Sequence, residues 1–399
     1  MYTKMKTIGQ TFLRFSLIIL IIVSFILFQI TAECQSVTFD LRRLPEKSTV
    51  KLSEIGVTDI QYIPLETTPN SVIPRISRII FSKNYLLTQQ FININMFRLN
   101  GSFVTKIGTE GRGPNEFTVA HDVDINPKNE SIYIVDGWQQ KFIVFDKTGK
   151  VIRTFKSPLA AAMNFKFTED GILSYNQNSM GTVESSFILL DTTGKVIKSF
   201  PNKYPWKRTV PTMAFQGENI FYRYNGQLIK KEMYCDTLFI YKNKDFKPHM
   251  IINIGNLGIT PKIRTESTAE FIMKNILMPM NLFEFGDFIY YEIGVPINGK
   301  TELLGFIGSK KNNFRTLIDP GKDLINDFDG GPNIWPKSIK DDNTIVSWID
   351  AITLKKYVAS DAFKNCNPKY PDKKKELEKL ANSLQETDNP IIVLVKLKM

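Results

Sequence analysis

Only two histidines occur in this 399-residue sequence, His121 and His249, and only three cysteines, Cys34, Cys235 and Cys366. A catalytic zinc centre takes three protein ligands, mostly His or Cys. A histidine acid–base pair needs both imidazoles at one substrate. Distant histidines and cysteines in unrelated contexts support neither, so the sequence predicts no metal site and no cofactor. Cys235 and Cys366 read as buried thiols. No Gly-x-Ser-x-Gly elbow is present, which leaves a serine hydrolase without local support. Residues 108–117, GTEGRGPNEF, are glycine-rich but lack the GK[ST] of a phosphate-binding loop. A strand pattern follows them where such a loop needs a helix. Their glycines and Pro114 fit a turn-rich crossing better. Asp122 and Asp124 sit beside His121 but alternate onto one strand face, with His121 on the other. A Ca²⁺ site needs more converging oxygens than this.

Charge and the N-terminus narrow the function classes. The formal charge is +11, compatible with anionic glycans or lipid headgroups. Much of the excess is scattered lysine, as in DKKKELEKL at 372–380, which reads as a solvated helix face. Lys4, Lys6 and Arg14 precede a stretch without charge from Phe15 to Ala32. A basic start and an apolar run read as an export signal or a membrane anchor over residues 1–36. Cys34 adds lipidation as a third option, although Glu33 stands where a lipobox prefers a small residue. The expected location is exported: periplasm, outer membrane or cell surface, with membrane association only through this segment. Export also argues against nucleic acid as a partner.

The elements that would position any site show a repeat. VFDKTGKVIRTF (144–155) and LLDTTGKVIKSF (189–200) are near copies, and FRLNGSFVTKI (97–107) is a third. Their glycines, Gly101, Gly149 and Gly194, lie 48 and 45 positions apart. Phe97, Phe145 and Leu190 stand four before the glycine. Phe103/Val104, Val151/Ile152 and Val196/Ile197 follow it. Strand, polar turn with Gly, strand is a hairpin pattern. A second family of hairpins starts at Arg78, Asp122, Asn164, Thr212, Asn281 and Pro336. Two hairpins per unit and six units predict an all-β fold, a six-bladed β-propeller of four-stranded antiparallel blades over residues 37–399. A solenoid would lack the paired hairpins. Two short helical insertions are expected, at 263–280 before blade 5 and at 371–384 after blade 6. NPIIVLVKLK (389–398) is expected to complete a blade with DIQYIPLE (59–66).

GTEGRGPNEF, VDINPKNESIYIVD (123–136) and FIVFDKTGKVI (142–152) together resemble an NHL-type propeller repeat. With DTLFIYKNKDFKPHMIINIG (236–255), NDFDGGPNIWP (326–336) and DNPIIVLVKLK (388–398), the chain resembles exported six-bladed propeller proteins of Gram-negative bacteria, mostly of unassigned function and often envelope-associated. The resemblance implies a fold and adds little about activity.

In a propeller the ligand face is built by loops between blades and by loops after second strands. That maps onto Arg75, His121, Asn164 and Trp335 before inner strands. It also maps onto Trp138, Gln140, Asn176, Arg223, Tyr224, Glu292 and Trp348 after second strands. Trp and Tyr beside amides and Arg suit a glycan or a peptide. The sequence thus predicts an exported envelope binding module engaging a glycan, a peptide or an envelope protein. Two alternatives stand beside it: a propeller lyase or hydrolase using a lone His or an axial metal, and a structural subunit of an envelope complex.

Overall fold

The computed structural model describes residues 37–209 and 214–398. The export segment 1–36 and Cys34 lie outside the described residues. The chain divides into two units, residues 1–38 and 39–399, and the second holds the fold described below.

That unit is mostly β. Six open antiparallel sheets follow one another, numbered here by their first strands. Sheet 1 runs Arg78–Phe81, Tyr85–Gln90, Asn93–Arg98, Phe103–Lys106. Sheet 2 runs Asp122–Ile125, Ile132–Asp136, Lys141–Phe145, Val151–Lys156. Sheet 3 runs Ala162–Thr168, Gly171–Asn176, Ser185–Leu190, Val196–Pro201. Sheet 4 runs Asn219–Tyr224, Gln227–Glu232, Thr237–Lys242, Asp245–Asn253, with Phe39 and Asp40 of the strand Val37–Asp40 along its outer edge. Sheet 5 runs Met278–Phe285, Phe288–Ile297, Lys300–Ser309, Arg315–Ile318. Sheet 6 takes Ser338–Asp341 and Thr344–Ile349, then the C-terminal Ile391–Leu397, and finally the early strand Val57–Pro64. The pairing of 391–397 with 57–64 is the one expected from sequence.

The repeated dozen is one turn built twice. Asp146 Oδ1 accepts from Thr148 N (2.8 Å), Thr148 Oγ1 (2.6 Å) and Lys150 N (3.0 Å). Asp191 Oδ1 accepts from Thr193 N, Thr193 Oγ1 and Lys195 N at the same three distances. Each turn joins third and fourth strands. Gly149 and Gly194 have φ of +82° and +97°, which a side chain resists. A Cβ on Gly194 would also strike the Phe155 ring of sheet 2, and one on Gly101 would strike the Pro64 carbonyl of sheet 6. The glycine therefore lets each turn close against the sheet before it. Phe97, Phe145 and Leu190 are fully buried, whereas Ile152, Val196 and Ile197 on the outer strands are exposed.

Neighbouring sheets share their cores. Ile132 and Ile134 pack with Leu87, Ile94 and Met96 of sheet 1. Tyr133 and Val135, on the opposite face of the same strand, pack with Phe165, Phe167 and Ile172 of sheet 3. Leu173 and Tyr175 meet Leu228 and Tyr241 of sheet 4. Ile79 and Leu86 of sheet 1 meet Val346, Ile392 and Leu394 of sheet 6. First strands touch between sheets 1 and 2, 2 and 3, 4 and 5, 5 and 6, and 6 and 1. Between sheets 3 and 4, Asn164 Nδ2 donates to the Asn219 carbonyl (3.1 Å).

Three expectations change. The fourth inner hairpin is not the one starting at Thr212, of which residues 210–213 lie outside the described residues. NIFYRY is the first strand of sheet 4, and Asn225–Gly226, both at positive φ, turn it into QLIKKE. The second helical insertion lies inside sheet 6, between its second and third strands. It has three helices, Ala351–Ala359, Asp361–Asn365 and Pro371–Ser383, packed on Leu354, Phe363 and Leu377. The first insertion, Pro261–Glu266 and Ala269–Asn275, precedes sheet 5 as expected but ends before Met278. Cys235 and Cys366 are free and half-buried instead of buried. No helix among the described residues is long and apolar enough to cross a membrane.

Asn389 ties the last strand to the crossing from sheet 6 to sheet 1. Its Oδ1 accepts from Ile73 N (2.8 Å), and its Nδ2 donates to the carbonyls of Glu66 and Ser71 (both 2.8 Å). Asn389→Ala should cost on the order of 3 kcal/mol in denaturant unfolding, because buried backbone groups lose their partners. Deleting residues 389–399 removes a central strand and should abolish the cooperative transition altogether. A deletion variant melting within a few degrees of the parent would refute that role.

Candidate functional site

Shared cores leave the sheet faces closed, so open chemistry is confined to the two ends. At the crossing end lie the connections between sheets and the links between second and third strands. At the turn end lie the tight turns between first and second and between third and fourth strands.

Arg223 and Tyr224 belong to the turn end, because NIFYRY is a first strand and they close it. Arg223 donates to the Phe167 carbonyl, and Tyr224 OH donates to that of Gly286 (2.6 Å). They are therefore apart from the other expected residues. Beside them the buried Glu284 accepts from Tyr222 OH (3.0 Å) and Lys310 Nζ (2.8 Å) and bonds His249 Nε2 (2.6 Å). Burial pushes the Glu284 carboxyl up, but the His249 and Lys310 contacts outweigh it and hold it below its usual range. This cluster ties sheet 4 to sheet 5, with its donors spent on one carboxylate.

The crossing end holds the rest. Asp136, fully buried, organises the link after the second strand of sheet 2. One oxygen accepts from Trp138 N (3.1 Å) and Gln139 N (3.0 Å). The other accepts from Thr118 N (2.7 Å) and Thr118 Oγ1 (2.8 Å) on the crossing before it. The link thereby displays Trp138, which is 69% exposed. His121 lies edge-on to that indole, ring centres 5.0 Å apart. Its Nδ1 accepts from Gly137 N (3.1 Å), so this nitrogen carries no proton in the bonded form. Burial lowers the imidazole pKa, against the pull of Asp136. His121 thus supports the turn that carries Trp138. On sheet 1 the equivalent link carries Phe91, 65% exposed, at φ +44°. A bulky residue there is an outlier. Its carbonyl accepts from Ala120 N (3.1 Å), next to His121. Phe91 escapes a sequence reading, because nothing in LLTQQFININ distinguishes a displayed ring from a core one.

A second group joins sheets 5, 6 and 1. Glu292 Oε2 accepts from Trp335 Nε1 (2.6 Å) and Tyr290 OH (2.9 Å). The Lys337 ammonium lies 3.4 Å from the Trp335 ring centre and 5.2 Å from that of Trp348. Sequence reading passes over Lys337, whose position between the two indoles depends on the sheet 5–6 junction. Its backbone is held from both sides: its carbonyl accepts from Asn281 Nδ2 (2.7 Å) and its N–H donates to Val346 O (3.0 Å). Burial pulls the Lys337 pKa down to about 8, Glu292 opposes the shift, and Arg75 adds to it. Arg75 is exposed on the crossing from sheet 6 to sheet 1. Glu292, Trp335, Trp348 and Arg75 are therefore one group, gathered around Lys337.

The remaining expected residues do structural work. Gln140 accepts from Ser157 N (2.7 Å), and Asn176 Oδ1 from Ala161 N (3.2 Å). Asn164 staples sheet 3 to sheet 4, yet among the described residues its Oδ1 has no partner, and neither has either amide atom of the buried Asn219. Asp122, fully buried, accepts from Arg78 of sheet 1 and from Lys166 Nζ (3.0 Å) and Phe165 N (3.0 Å) of sheet 3. Among the described residues no three His, Cys, Asp or Glu side chains converge as metal ligands.

With this geometry in place, known proteins give a comparison. Residues 36–396 match the family described as a domain of unknown function, DUF4934. The chain belongs to that family. This DUF4934 protein has the same fold as a Bacteroides fragilis NCTC 9343 protein described as a candidate exported protein. The TM-score is 0.68 at 16% identity, over 91% of this chain and 99% of that one. It is also similar to a DUF4221 family member of Bacteroides vulgatus ATCC 8482, with a TM-score of 0.47 at 11% identity, over 86% of this chain and 97% of that one. No curated protein matches it. DUF4934 is thus a propeller-type family of unassigned function.

Two substitutions check the roles assigned here. His121→Ala should keep the cooperative fold and cost on the order of 1 kcal/mol, since the Gly137 N–H and the Val119 carbonyl each lose a bond to the ring. A loss above about 3 kcal/mol would mean that His121 holds far more than one turn. Lys337→Met should raise the melting temperature at neutral pH. Burial, opposed by Glu292 and reinforced by Arg75, makes the amine harder to protonate in the folded state than in the unfolded one. Folding therefore gains stability as pH rises from about 8 towards the ordinary lysine range. The advantage of the methionine should shrink over that window. Equal melting curves at every pH would contradict a desolvated Lys337.

Proposed function

We propose that this DUF4934 protein is an exported cell-envelope binding module, a ring of six four-stranded blades that engages a glycan or a peptide at its crossing end. Contacts between successive first strands and the joining of 391–397 to 57–64 support the ring. Export rests on the basic-then-apolar segment at 1–36 and on the description of the Bacteroides fragilis protein that shares the fold. Attachment to the membrane would come through that segment alone.

The observation that carries the binding reading is where exposed apolar side chains collect. Among the described residues the exposed aromatic side chains are Phe91, Trp138, Phe271 and Tyr370, and all four lie on crossing-end connections, whereas the exposed apolar residues nearest the turn end, Ile152, Val196 and Ile197, are aliphatic. Rings displayed beside cations and unpartnered amides suit ligands with apolar faces and hydroxyl or amide groups. At the turn end the Glu284 cluster spends its donors on one internal carboxylate.

A glycan and peptide array probed with the full-length protein tests this. Trp138→Ala or Phe91→Ser should weaken binding of any ligand found by about tenfold or more. Ile197→Ser, on an exposed outer strand, should not. A ligand whose affinity is indifferent to both crossing-end variants would overturn the assignment.

A further inference from the structure

The outer edges of the sheets form a third surface, apart from both ends. The start of the fold covers part of it. Phe39 and Asp40 lie along the outer strand of sheet 4. Lys47 then pairs with Asp319 (2.6 Å), and Ser48 N donates to the Leu317 carbonyl on the outer strand of sheet 5 (3.0 Å). The chain goes on to supply the outer strand of sheet 6. Among the described residues no strand lies along the outer strands of sheets 2 and 3. On this bare stretch the charges are of one sign. Residues 147–168 carry four lysines, one arginine and no Asp or Glu, and so do residues 192–217. Lys242, Lys244 and Lys247, with Asp245 among them, continue the run onto sheet 4. The three edges adjoin: Arg153 donates to the Thr192 carbonyl, and Lys198 Nζ to that of Lys244 (2.6 Å). Lys244 has Asp170 at 4.0 Å and Lys247 has Asp245 at 3.1 Å. Lys150, Lys156, Lys195 and Lys242 are exposed and pair with no carboxylate among the described residues. Beside them Ile152, Val196 and Ile197 are 56%, 42% and 41% exposed.

Lysines on an edge strand also keep it from pairing with other chains. The outer strands of sheets 1 and 6 carry one charge each, Lys106 and Asp59. Exclusion of acid over two adjoining edges, with aliphatic side chains left in water, goes further than that. A second copy docked here would set like charges against each other. A layer of anionic headgroups would take the ammoniums, and the aliphatic side chains would reach the acyl boundary. The place where the export segment joins the fold points the same way. Phe39 follows Cys34 by five positions, a span of at most about 18 Å. An anchor ending at Cys34 therefore keeps the outer edge of sheet 4 close to the bilayer, and the bare edge beside it is that of sheet 3. Beyond attachment through residues 1–36, we propose that the outer edges of sheets 2, 3 and 4 are the face this protein lays on an anionic membrane leaflet. The segment brings the protein to the bilayer, and the basic edges decide how it lies there. The crossing end takes no part in this contact and stays open to its own ligand.

The test is hydrogen exchange, read by mass spectrometry, on the full-length protein in two kinds of nanodisc: pure phosphatidylcholine, and phosphatidylcholine with about one-third phosphatidylglycerol. Exchange across 147–156 and 195–203 should slow about threefold or more in the anionic discs, and the difference should vanish in about 0.5 M salt. Residues 89–92 and 137–140 should exchange alike in both. The combined variant Lys156→Glu, Lys195→Glu, Lys242→Glu should lose the protection, and Ile152→Ser with Ile197→Ser should weaken it. Melting curves establish that these surface variants are folded. Equal exchange in the two discs, protection at the crossing end instead, or a charge-reversed variant protected like the parent would overturn the proposal. Protection in neutral discs that grows with protein concentration would assign the face to a second copy and overturn it as well. So would soluble poly-glutamate protecting these strands where anionic discs do not. None of these results bears on the crossing-end reading, which the array and Trp138→Ala decide separately.

Discussion

Burial of both faces of the inner strands is the constraint from which the rest of this structure follows. The strand Ile132–Asp136 sends Ile132 and Ile134 to sheet 1 and Tyr133 and Val135 to sheet 3, and all five of its residues are buried. A strand closed on both sides cannot alternate apolar and polar residues as a half-exposed one does. It also cannot carry a site on its face. Polar groups that must remain are pushed to strand ends, where they either tie neighbouring sheets or meet solvent. The function of this fold is a question about its ends for that reason.

Buried carboxylates tie neighbouring sheets at both ends. Asp122 gathers one donor from sheet 1 and two from sheet 3 onto a fully buried carboxylate. Glu284 gathers Tyr222, His249 and Lys310 where sheets 4 and 5 meet. Each is a charge taken out of water and surrounded by donors, which is the condition under which a buried carboxylate is tolerated. Each also couples sheets whose apolar contacts alone have little directional preference. Lys337 breaks that pattern. Its side chain meets rings in place of a carboxylate, and its nearest charged neighbours pull its protonation in opposite directions.

What can be read in the sequence follows from how local its cause is. The Asp–x–Thr–Gly turn is legible because five consecutive residues build it, and two copies give the same hydrogen-bond distances. The pairing of 391–397 with 57–64 is legible because so apolar a final segment needs burial on both faces. Sheet 4 is misread because Gln216–Glu218 forms a short 3₁₀ turn just before the strand and Gly217 meets the Pro279 carbonyl of sheet 5, a contact with no local signature. Asn225–Gly226 is the stronger local signal for the hairpin, since both residues must take positive φ. Following it would have put Arg223 and Tyr224 at the turn end from the start. The insertion in sheet 6 is misplaced because helix patterns specify helices and do not say between which strands they fall. Phe91 and Lys337 are harder still. Their exposure and company depend on how neighbouring sheets meet.

The same reasoning separates stability from function at the crossing end. Residues selected only for folding should satisfy their polar groups and hide their rings, as Asp136 and His121 do around Gly137. Phe91 keeps a bulky ring in solvent on a left-handed backbone, and Lys337 keeps an ammonium partly dehydrated without a bonded carboxylate. Neither arrangement improves the fold, and each has an easy alternative: glycine or asparagine at the turn, an apolar side chain between the indoles. Costs retained at two places on one end of a molecule, on sheets 1 and 6 that pack against each other, are most simply explained by one demand made on that end from outside the chain.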